Sequence, residues 1–245
     1  MFLSRDTRRG EAGIVDVAFT DRHGGVSTPP FASLDLGEPG VGREAEHEAN
    51  FALLAQAFGV QGFSTMRQVH GRAACIVGSS TTAVPTCDAL VTDADDVALC
   101  VRAADCVPVV LADSDAGVVA VVHAGRQSVV AGVLASALST MRTLGAQRVE
   151  AWIGPYVCGG CYEVPPQLRA EVAAVSASAF ANTRWGTPSV DLGAAVASQL
   201  TTAGCVVNDV SRCTRESADL YSYRRDGEES GRSAGLVVLR GRSRG

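Results

Sequence analysis

The chain contains no lysine, and all 21 of its basic residues are arginine. Without lysine, the protein cannot form a Schiff base through a side-chain amine or bind phosphate through a P-loop lysine. Any phosphate contact must come from arginine, from backbone N–H groups or from a metal ion. The net charge of −5 gives no electrostatic basis for binding nucleic acid or an anionic membrane.

The sequence also lacks any apolar run of transmembrane length, and Met1–Gly13 has no apolar core of the kind found in signal peptides. Its eight cysteines are scattered, and several lie within apolar, strand-like segments. This pattern favours reduced thiols in the cytoplasm over a disulfide framework. We therefore expect a cytoplasmic protein that works without a membrane. The sequence does not determine its oligomeric state, for which a monomer and a weak dimer are the two expectations.

Strand-like and helix-like segments are interspersed along 245 residues without a repeat or a linker. We expect one α/β (α+β) domain over residues 1–245, with a mixed central β-sheet flanked by helices and with residues 1–13 flexible. The pattern predicts helices over about 44–58, 129–144, 166–180 and 191–203. Short strands are predicted between them, including 15–20, 65–70 and 236–239.

Two apolar runs, Val107–Ala112 and Val118–Val122, are joined by the turn-forming sequence DSDAG and predict a β-hairpin. Cys106 precedes the first run and His123 follows the second. A hairpin would bring these two side chains together at one edge of a sheet. A thiolate beside an imidazole is typical of either a metal site or a Cys–His nucleophile.

A second histidine, His70, is predicted at the end of another strand, directly before Gly71. His70, Cys106 and His123 would supply the three N/S ligands of a catalytic zinc site with an open fourth position. A thiolate also tolerates copper, so the metal stays open at this point. Asp105 and Asp88 are candidates for orienting the ligands or for proton transfer.

The pair Cys158 and Cys161 forms a CxxC motif, which occurs in redox centres and as half of structural zinc sites. No second CxxC exists in the sequence, although Cys205 and Cys213 could join this pair. The Pro-Cys-x-x-Cys and His-x-Glu signature of zinc deaminases is absent. The loop arginines Arg22, Arg126, Arg224 and Arg225 are candidate phosphate or oxyanion contacts.

Eight motifs follow one another in an order that resembles the bacterial YfiH/YlmD-type family. That family is related to the human laccase domain-containing protein, and its members were once labelled polyphenol oxidases. The resemblance covers nearly the whole chain. The motifs are Thr20–Ser27, Ser33–Gly37, Gln68–Gly71, Asp88–Thr92, Ala104–Pro108, His123–Gly125, Ile153–Pro155 and Tyr221–Asp226. The family usually continues His-Ala-Gly with Trp-Arg-Gly, whereas this chain has Arg126-Gln127-Ser128.

The resemblance implies a zinc-dependent purine nucleoside enzyme. Its expected reactions are the phosphorolysis of adenosine, inosine, guanosine and methylthioadenosine, and the hydrolytic deamination of adenosine. It places the zinc ligands at His70, Cys106 and His123. We assign Cys106, Asp105 and His70 as catalytic, and the substrate contacts as Arg22, Ser27, Gln68, Asp88 and Arg126. Some relatives have been linked to the editing of peptidoglycan precursors.

Two other functions compete with this interpretation. A copper-dependent phenol oxidase could use the same two histidines and cysteine, but four histidines in total are too few for an additional oxygen-binding cluster. A non-enzymatic zinc-binding or ligand-binding module would need a fourth protein ligand, such as Cys158 or Cys161.

Overall fold

The computed structural model of the chain describes residues 1–79, 81 and 83–241. Its largest sheet has six strands in the order β11-β8-β6-β7-β4-β3. The strands are β3 (Ala74–Ile76), β4 (Ala89–Thr92), β6 (Val107–Asp113), β7 (Val118–Ala124), β8 (Glu150–Ile153) and β11 (Val206–Asp209). Two neighbouring pairs, β3–β4 and β11–β8, run parallel, and the others run antiparallel. The predicted hairpin and the mixed sheet are confirmed.

A second, antiparallel sheet has the order β1-β2-β12-β5, and the sequence pattern gave no sign of this separate layer. Its strands are β1 (Phe2–Arg9), β2 (Gly13–Thr20), β5 (Leu99–Ala103) and β12 (Ser233–Gly241). A small hairpin-like pair joins β9 (Phe180–Asn182) to β10 (Pro188–Val190).

Within residues 1–79 and 83–241, six α-helices accompany the sheets. They are α1 (Glu44–Phe58), α2 (Arg126–Ala131), α3 (Val133–Thr143), α4 (Pro166–Val175), α5 (Leu192–Thr202) and α6 (Tyr223–Asp226), with 3-10 turns at Ala177–Ala179 and Gly227–Glu229. In the described part of the chain, no helix combines the length and the apolarity needed to cross a membrane.

The elements stack in four layers, because the two sheets pack face to face and helices cover both outer sides. In β6, Val107, Val109 and Leu111 face the core under α2–α5, whereas Val110 and Ala112 face the second sheet. Helix α1 covers the other side of the second sheet through Leu54 and Phe58. A strand buried on both faces has apolar residues at every position, which explains the uninterrupted runs of the hairpin.

The prediction of a flexible N-terminus is wrong, since β1 pairs with β2 along most of its length. Its charged and half-exposed residues are typical of an edge strand, where polar side chains face water. Asp6 accepts a hydrogen bond from the buried Trp152 indole at 2.9 Å, and Arg8 pairs with Glu150. These contacts anchor β1, although its polar sequence by itself is typical of an unstructured segment.

Three further expectations need correction. The single helix predicted over 129–144 is broken at Gly132, whose φ of 87° ends α2 before α3 begins. The helix predicted over 166–180 ends at Val175, and a 3-10 turn follows it. Residues 65–70 form a loop with one isolated bridge at Arg67 instead of a strand.

Candidate metal centre and active-site cavity

The hairpin register places the predicted ligands side by side. Pro108 lies opposite His123, and Val107 lies opposite Ala124, so Cys106 sits beside the end of β7. The loop before β3 brings His70 to the same edge. The ligand atoms of the three residues lie within 4.8 Å of one another, and His70 Nε2 is 3.7 Å from Cys106 Sγ. Ordinary Zn–N and Zn–S bond lengths with a tetrahedral angle imply an N···S separation of about 3.6 Å.

Asp88 organises these ligands from behind. It is fully buried, and its Oδ1 lies 2.8 Å from His123 Nδ1. The backbone N–H groups of His70 and Gly71 donate to the same carboxylate at 2.9 and 2.7 Å. A carboxylate on Nδ1 leaves Nε2 of His123 as the ligand atom and fixes the plane of the ring.

Gly125 allows the three ligands to approach one another. A Cβ atom at this position would lie 2.6 Å from His70 Cδ2 and 3.2 Å from Cys106 Sγ. His70 itself has a left-handed backbone, with a φ of 58°. This conformation is costly for a residue other than glycine and is concentrated at functional sites. The close approach and the N, N, S donor set together fit a bound metal ion.

The electrostatics of the cluster favour a thiolate. Burial alone would raise the pKa of Cys106, but hydrogen bonds from His123 and His70 outweigh it and lower the pKa to about 6. Burial would lower the pKa of His123, but its bonds to Asp88 and Cys106 raise it to about 9. The His123 and Gly71 bonds likewise outweigh burial and hold the pKa of Asp88 below its usual value. The sulfur of Cys106 is thus ready to bind a cation, and metal binding at Nε2 of His123 would displace the proton that this ring holds.

Asp105 adjoins the cluster and has a φ of 86°. Its Oδ1 accepts hydrogen bonds from the hydroxyls of Thr214 and Ser222 at 2.6 and 2.7 Å, and its Oδ2 accepts one from the Arg224 N–H. The side chain therefore joins its own segment to two later ones, at Thr214 and at Ser222 and Arg224, at the edge of the metal centre.

A cavity of about 1360 Å³ opens over the metal centre. It exceeds the range of about 300–1,000 Å³ that is common for small-molecule sites. The described residues lining it include the three predicted ligands, four aromatic side chains and four arginines. These are His70, Cys106, His123, Phe51, Phe63, Tyr162, Tyr223, Arg67, Arg102, Arg224 and Arg232, with Asp105 and Gln68 beside them.

Among the predicted substrate contacts, Gln68 lines this cavity, whereas Arg22, Ser27, Asp88 and Arg126 are absent from its described lining. Ser27 is buried and accepts a hydrogen bond from Asn50. Arg22 donates to the carbonyl of Ala32. Arg126 starts α2 and pairs with Glu171 at 3.4 Å. Complete burial prevents Asp88 from contacting substrate, and its place is behind the metal ligands.

Gln68 itself is occupied by backbone contacts. Its side-chain amide donates to the carbonyl of Arg102 at 2.8 Å and accepts from the Arg102 N–H at 3.0 Å. This exchange pairs the loop that carries His70 with the end of β5. Gln68 therefore positions the loop that carries His70, and these two hydrogen bonds already occupy the oxygen and the nitrogen of its side-chain amide.

Arg102 and Tyr162 line the cavity but were not singled out from the sequence. Arg102 is 8% exposed, donates to the Met66 carbonyl at 3.0 Å and pairs with Glu38. Its position inside the apolar segment VALCVRA could have marked it as a candidate site residue, because a charged side chain in a buried strand needs a specific partner. Tyr162 gave no comparable signal.

A family model described as "multi-copper polyphenol oxidoreductase laccase" matches residues 16–240. The chain belongs to this family. A purine nucleoside phosphorylase of Streptomyces coelicolor is 46% identical, with 98% of this chain and 100% of the relative covered. The phosphorylase of Mycobacterium tuberculosis strain H37Rv is 43% identical, with 96% and 98% covered. By its family and these relatives, the chain is an enzyme.

Solved structures confirm the YfiH/YlmD resemblance. YfiH of Bacillus licheniformis aligns with a TM-score of 0.85 at 25% identity, covering 96% of this chain and 99% of that one. YlmD of Geobacillus stearothermophilus aligns with a TM-score of 0.82 at 26% identity, covering 95% and 98%.

Proposed function

We propose that the chain is a zinc-dependent purine nucleoside enzyme. Its reactions are phosphorolysis of adenosine, inosine, guanosine and methylthioadenosine, and hydrolytic deamination of adenosine. The observation that carries this proposal is the three-ligand cluster of His70, Cys106 and His123 opening into a large cavity. The full-length relatives named purine nucleoside phosphorylase support the substrate class.

The cavity lining matches the two chemical parts of these substrates. Phe51, Phe63 and Tyr223 offer flat apolar surfaces for a purine base. Arg224 and Arg232 offer guanidinium groups for phosphate, the side chains that a chain without lysine must use. A nucleoside and a phosphate can therefore be held together over the metal centre.

In phosphorolysis, a phosphate oxygen forms a bond to the anomeric carbon while the bond to the purine nitrogen breaks. The bonding electron pair leaves with the base, and a proton neutralises it. Arginine-bound phosphate is oriented for this displacement, and a nearby carboxylate stabilises the positive charge that develops on the sugar. We assign the proton transfer to Asp105, whose three hydrogen bonds fix its position.

A zinc ion bound by the three ligands would supply a Lewis acid that polarises oxygen or activates water. The chain's own contribution is to fix the ligands through Asp88 and Gly125 and to hold Cys106 as a thiolate. Deamination of adenosine replaces the amino group on C6 with oxygen from water and releases ammonia. Asp105 is the candidate for moving protons in that reaction also.

The test is a phosphate-dependent screen of the four nucleosides, with metal content measured on the same sample. Free base should appear only with phosphate, and inosine should form from adenosine without it. Cys106→Ala should lose zinc from this site and base release together, whereas Cys205→Ala, a control far from the cluster in sequence, should retain both. Base release by Cys106→Ala protein lacking this zinc would contradict the metal-dependent proposal.

Copper-dependent phenol oxidation is the second candidate, favoured by the family description. Among the described residues, neither group of potential metal ligands contains more than two histidines. His23 pairs with Asp219, and His47 packs against Phe51. Oxygen uptake by copper-loaded protein with a phenol, at a rate exceeding nucleoside turnover, would favour this alternative.

The eight free cysteines are consistent with a reducing compartment, and we place the enzyme in the cytoplasm.

A further inference from the structure

A second group of metal-ligating side chains lies outside the proposed active site. The CxxC pair Cys158 and Cys161 is joined by Cys213 and Glu216, and the four ligand atoms lie within 4.8 Å of one another. Cys213 completes the group, whereas Cys205, the other candidate from the sequence, does not belong to it. All of these cysteines are free thiols.

Two loops supply this group, one with Cys158 and Cys161 and the other with Cys213 and Glu216, and backbone hydrogen bonds hold both loops in place. The N–H groups of Cys161 and Tyr162 donate to the carbonyl of Cys158 at 2.9 and 3.0 Å, which closes a tight turn within the CxxC motif. Tyr156 accepts a hydrogen bond from Thr214 N–H and donates to the Arg212 carbonyl. The segment before Cys158 and the segment around Cys213 are therefore hydrogen-bonded to each other directly beside these two thiols.

Glu216 is oriented toward the thiols by a cation on its outer side. Its Oε1 lies 3.4 Å from Cys161 Sγ, and its Oε2 accepts a hydrogen bond from the exposed Arg184 at 2.7 Å. Arg184 also donates its backbone N–H to the Gly160 carbonyl. A ligating carboxylate that is held by a second partner is typical of metal sites.

We propose that Cys158, Cys161 and Cys213, with Glu216 as the fourth ligand, bind a second, structural zinc ion. Three sulfur donors and a two-residue spacing within the first pair fit the ligand preference of tetrahedral zinc. Zn–S bonds in that geometry imply S···S separations of about 3.8 Å, and the four ligand atoms already lie within 4.8 Å of one another. Three thiolates, a carboxylate and a divalent cation leave an excess of negative charge, which Arg184 reduces.

The second site would act by joining the two loops that hold Asp105. Val157, next to Cys158, donates its backbone N–H to the Asp105 carbonyl at 3.1 Å. Thr214, next to Cys213, donates its hydroxyl to the Asp105 carboxylate at 2.6 Å. Two of the residues that hold Asp105, Val157 and Thr214, are thus each next to a proposed zinc ligand, and a bound metal would fix them relative to each other.

The experiment measures zinc per chain in the full-length protein purified without chelator. Wild type should bind two equivalents. Cys213→Ser should lose one while keeping base release above background, and Cys106→Ala should lose the other. Cys205→Ser is the control and should bind as much as wild type. Glu216→Gln should keep the second zinc with lower affinity, because three thiolates remain.

Co²⁺ provides a readout that does not depend on activity, since sulfur-to-cobalt charge-transfer absorption reports thiolate ligands directly. Most of this absorption should disappear in Cys213→Ser and persist in Cys106→Ala. A wild-type chain with one zinc, unchanged by Cys213→Ser, would overturn the proposal. So would a thiol titration of the denatured, unreduced chain that counts two fewer than its eight cysteines, because that result would mean a disulfide.

Discussion

The two cysteine clusters of this chain place sulfur in opposite surroundings. Cys106 lies between two imidazoles, whose hydrogen bonds outweigh burial and lower its pKa to about 6. Cys161 is buried beside Glu216 and two other thiols, and these surroundings raise its pKa to about 12. The first cluster stabilises a thiolate before any metal binds. The second stabilises thiols until a cation offsets the crowded negative charge.

The clusters also differ in what they leave open. The first has three ligands and faces a cavity of about 1360 Å³, so substrate can reach a fourth position. The second brings four donors together on two adjoining loops. An open three-ligand site is typical of catalysis, and a closed four-ligand site is typical of structure. Asp105 lies between them, beside Cys106 and bonded to the loops of the second cluster.

The largest effect is expected from Asp105→Asn, which tests this connection. If Asp105 transfers a proton, kcat should fall by about 100-fold or more, while the zinc content of both clusters stays at the wild-type value. The exposed Asp93→Asn is the matched control. A loss of kcat that accompanies loss of zinc would mean instead that Asp105 acts by holding the loops in place.

Thiol reactivity compares the two clusters directly in protein stripped of metal. A thiolate fraction rises as pH increases through the pKa, so Cys106 should react with an aromatic disulfide from about pH 6 upward. Cys161 should remain protonated throughout the neutral range. A thiolate of low pKa is intrinsically less nucleophilic, which offsets part of the difference in thiolate fraction. We therefore expect Cys106 to be labelled about 100-fold faster than Cys161 at pH 7. Peptide mapping of the labelled sites checks the order, and equal labelling rates would contradict the contrast.

Asp88→Asn should weaken the first cluster alone. The buried amide would present an N–H to groups that already donate to Asp88, and His123 would lose its partner. Zinc affinity of the first site should fall by about 10- to 100-fold, and the second site should be unaffected. Glu216→Gln is the reciprocal variant and should weaken only the second site. Competition with a fluorescent chelator measures the zinc affinity of each site. If one variant lowered both affinities equally, the two sites would be coupled.

Much of the first cluster could be predicted from the sequence because the hairpin is a local structure. Two apolar runs and a four-residue turn between them determine which strand positions face each other, and that register brings Cys106 to His123. Helix α1 and the N-cap Asp191 of α5 were predicted for the same reason, since capping and periodicity are local.

The rest of the site depends on contacts between distant segments. Cys213 approaches the CxxC pair only because two loops align across Tyr156, and no periodicity encodes that alignment. The role of Asp88 as a buried anchor follows from its facing His123 across β4 and β7. Edge strand β1 was missed because its charged residues are stabilised by partners such as Trp152 and Glu150, which are far away in sequence.

The smallest effects are expected from a matched pair of glycine substitutions. A methyl group at Gly125 would meet His70 Cδ2 at 2.6 Å and Cys106 Sγ at 3.2 Å, and neither ligand can move without disturbing the centre. Gly125→Ala should lower zinc affinity of the first site by about tenfold. A methyl group at Gly160 would meet Arg184 Nε at 3.2 Å, and this exposed side chain can move aside. The three thiols should therefore stay in place, and because the displaced Arg184 also holds Glu216, Gly160→Ala should weaken zinc binding at the second site no more than Glu216→Gln does. If Gly125→Ala bound zinc like wild type, close approach of the ligands would be unnecessary, and the donor set alone would account for metal binding.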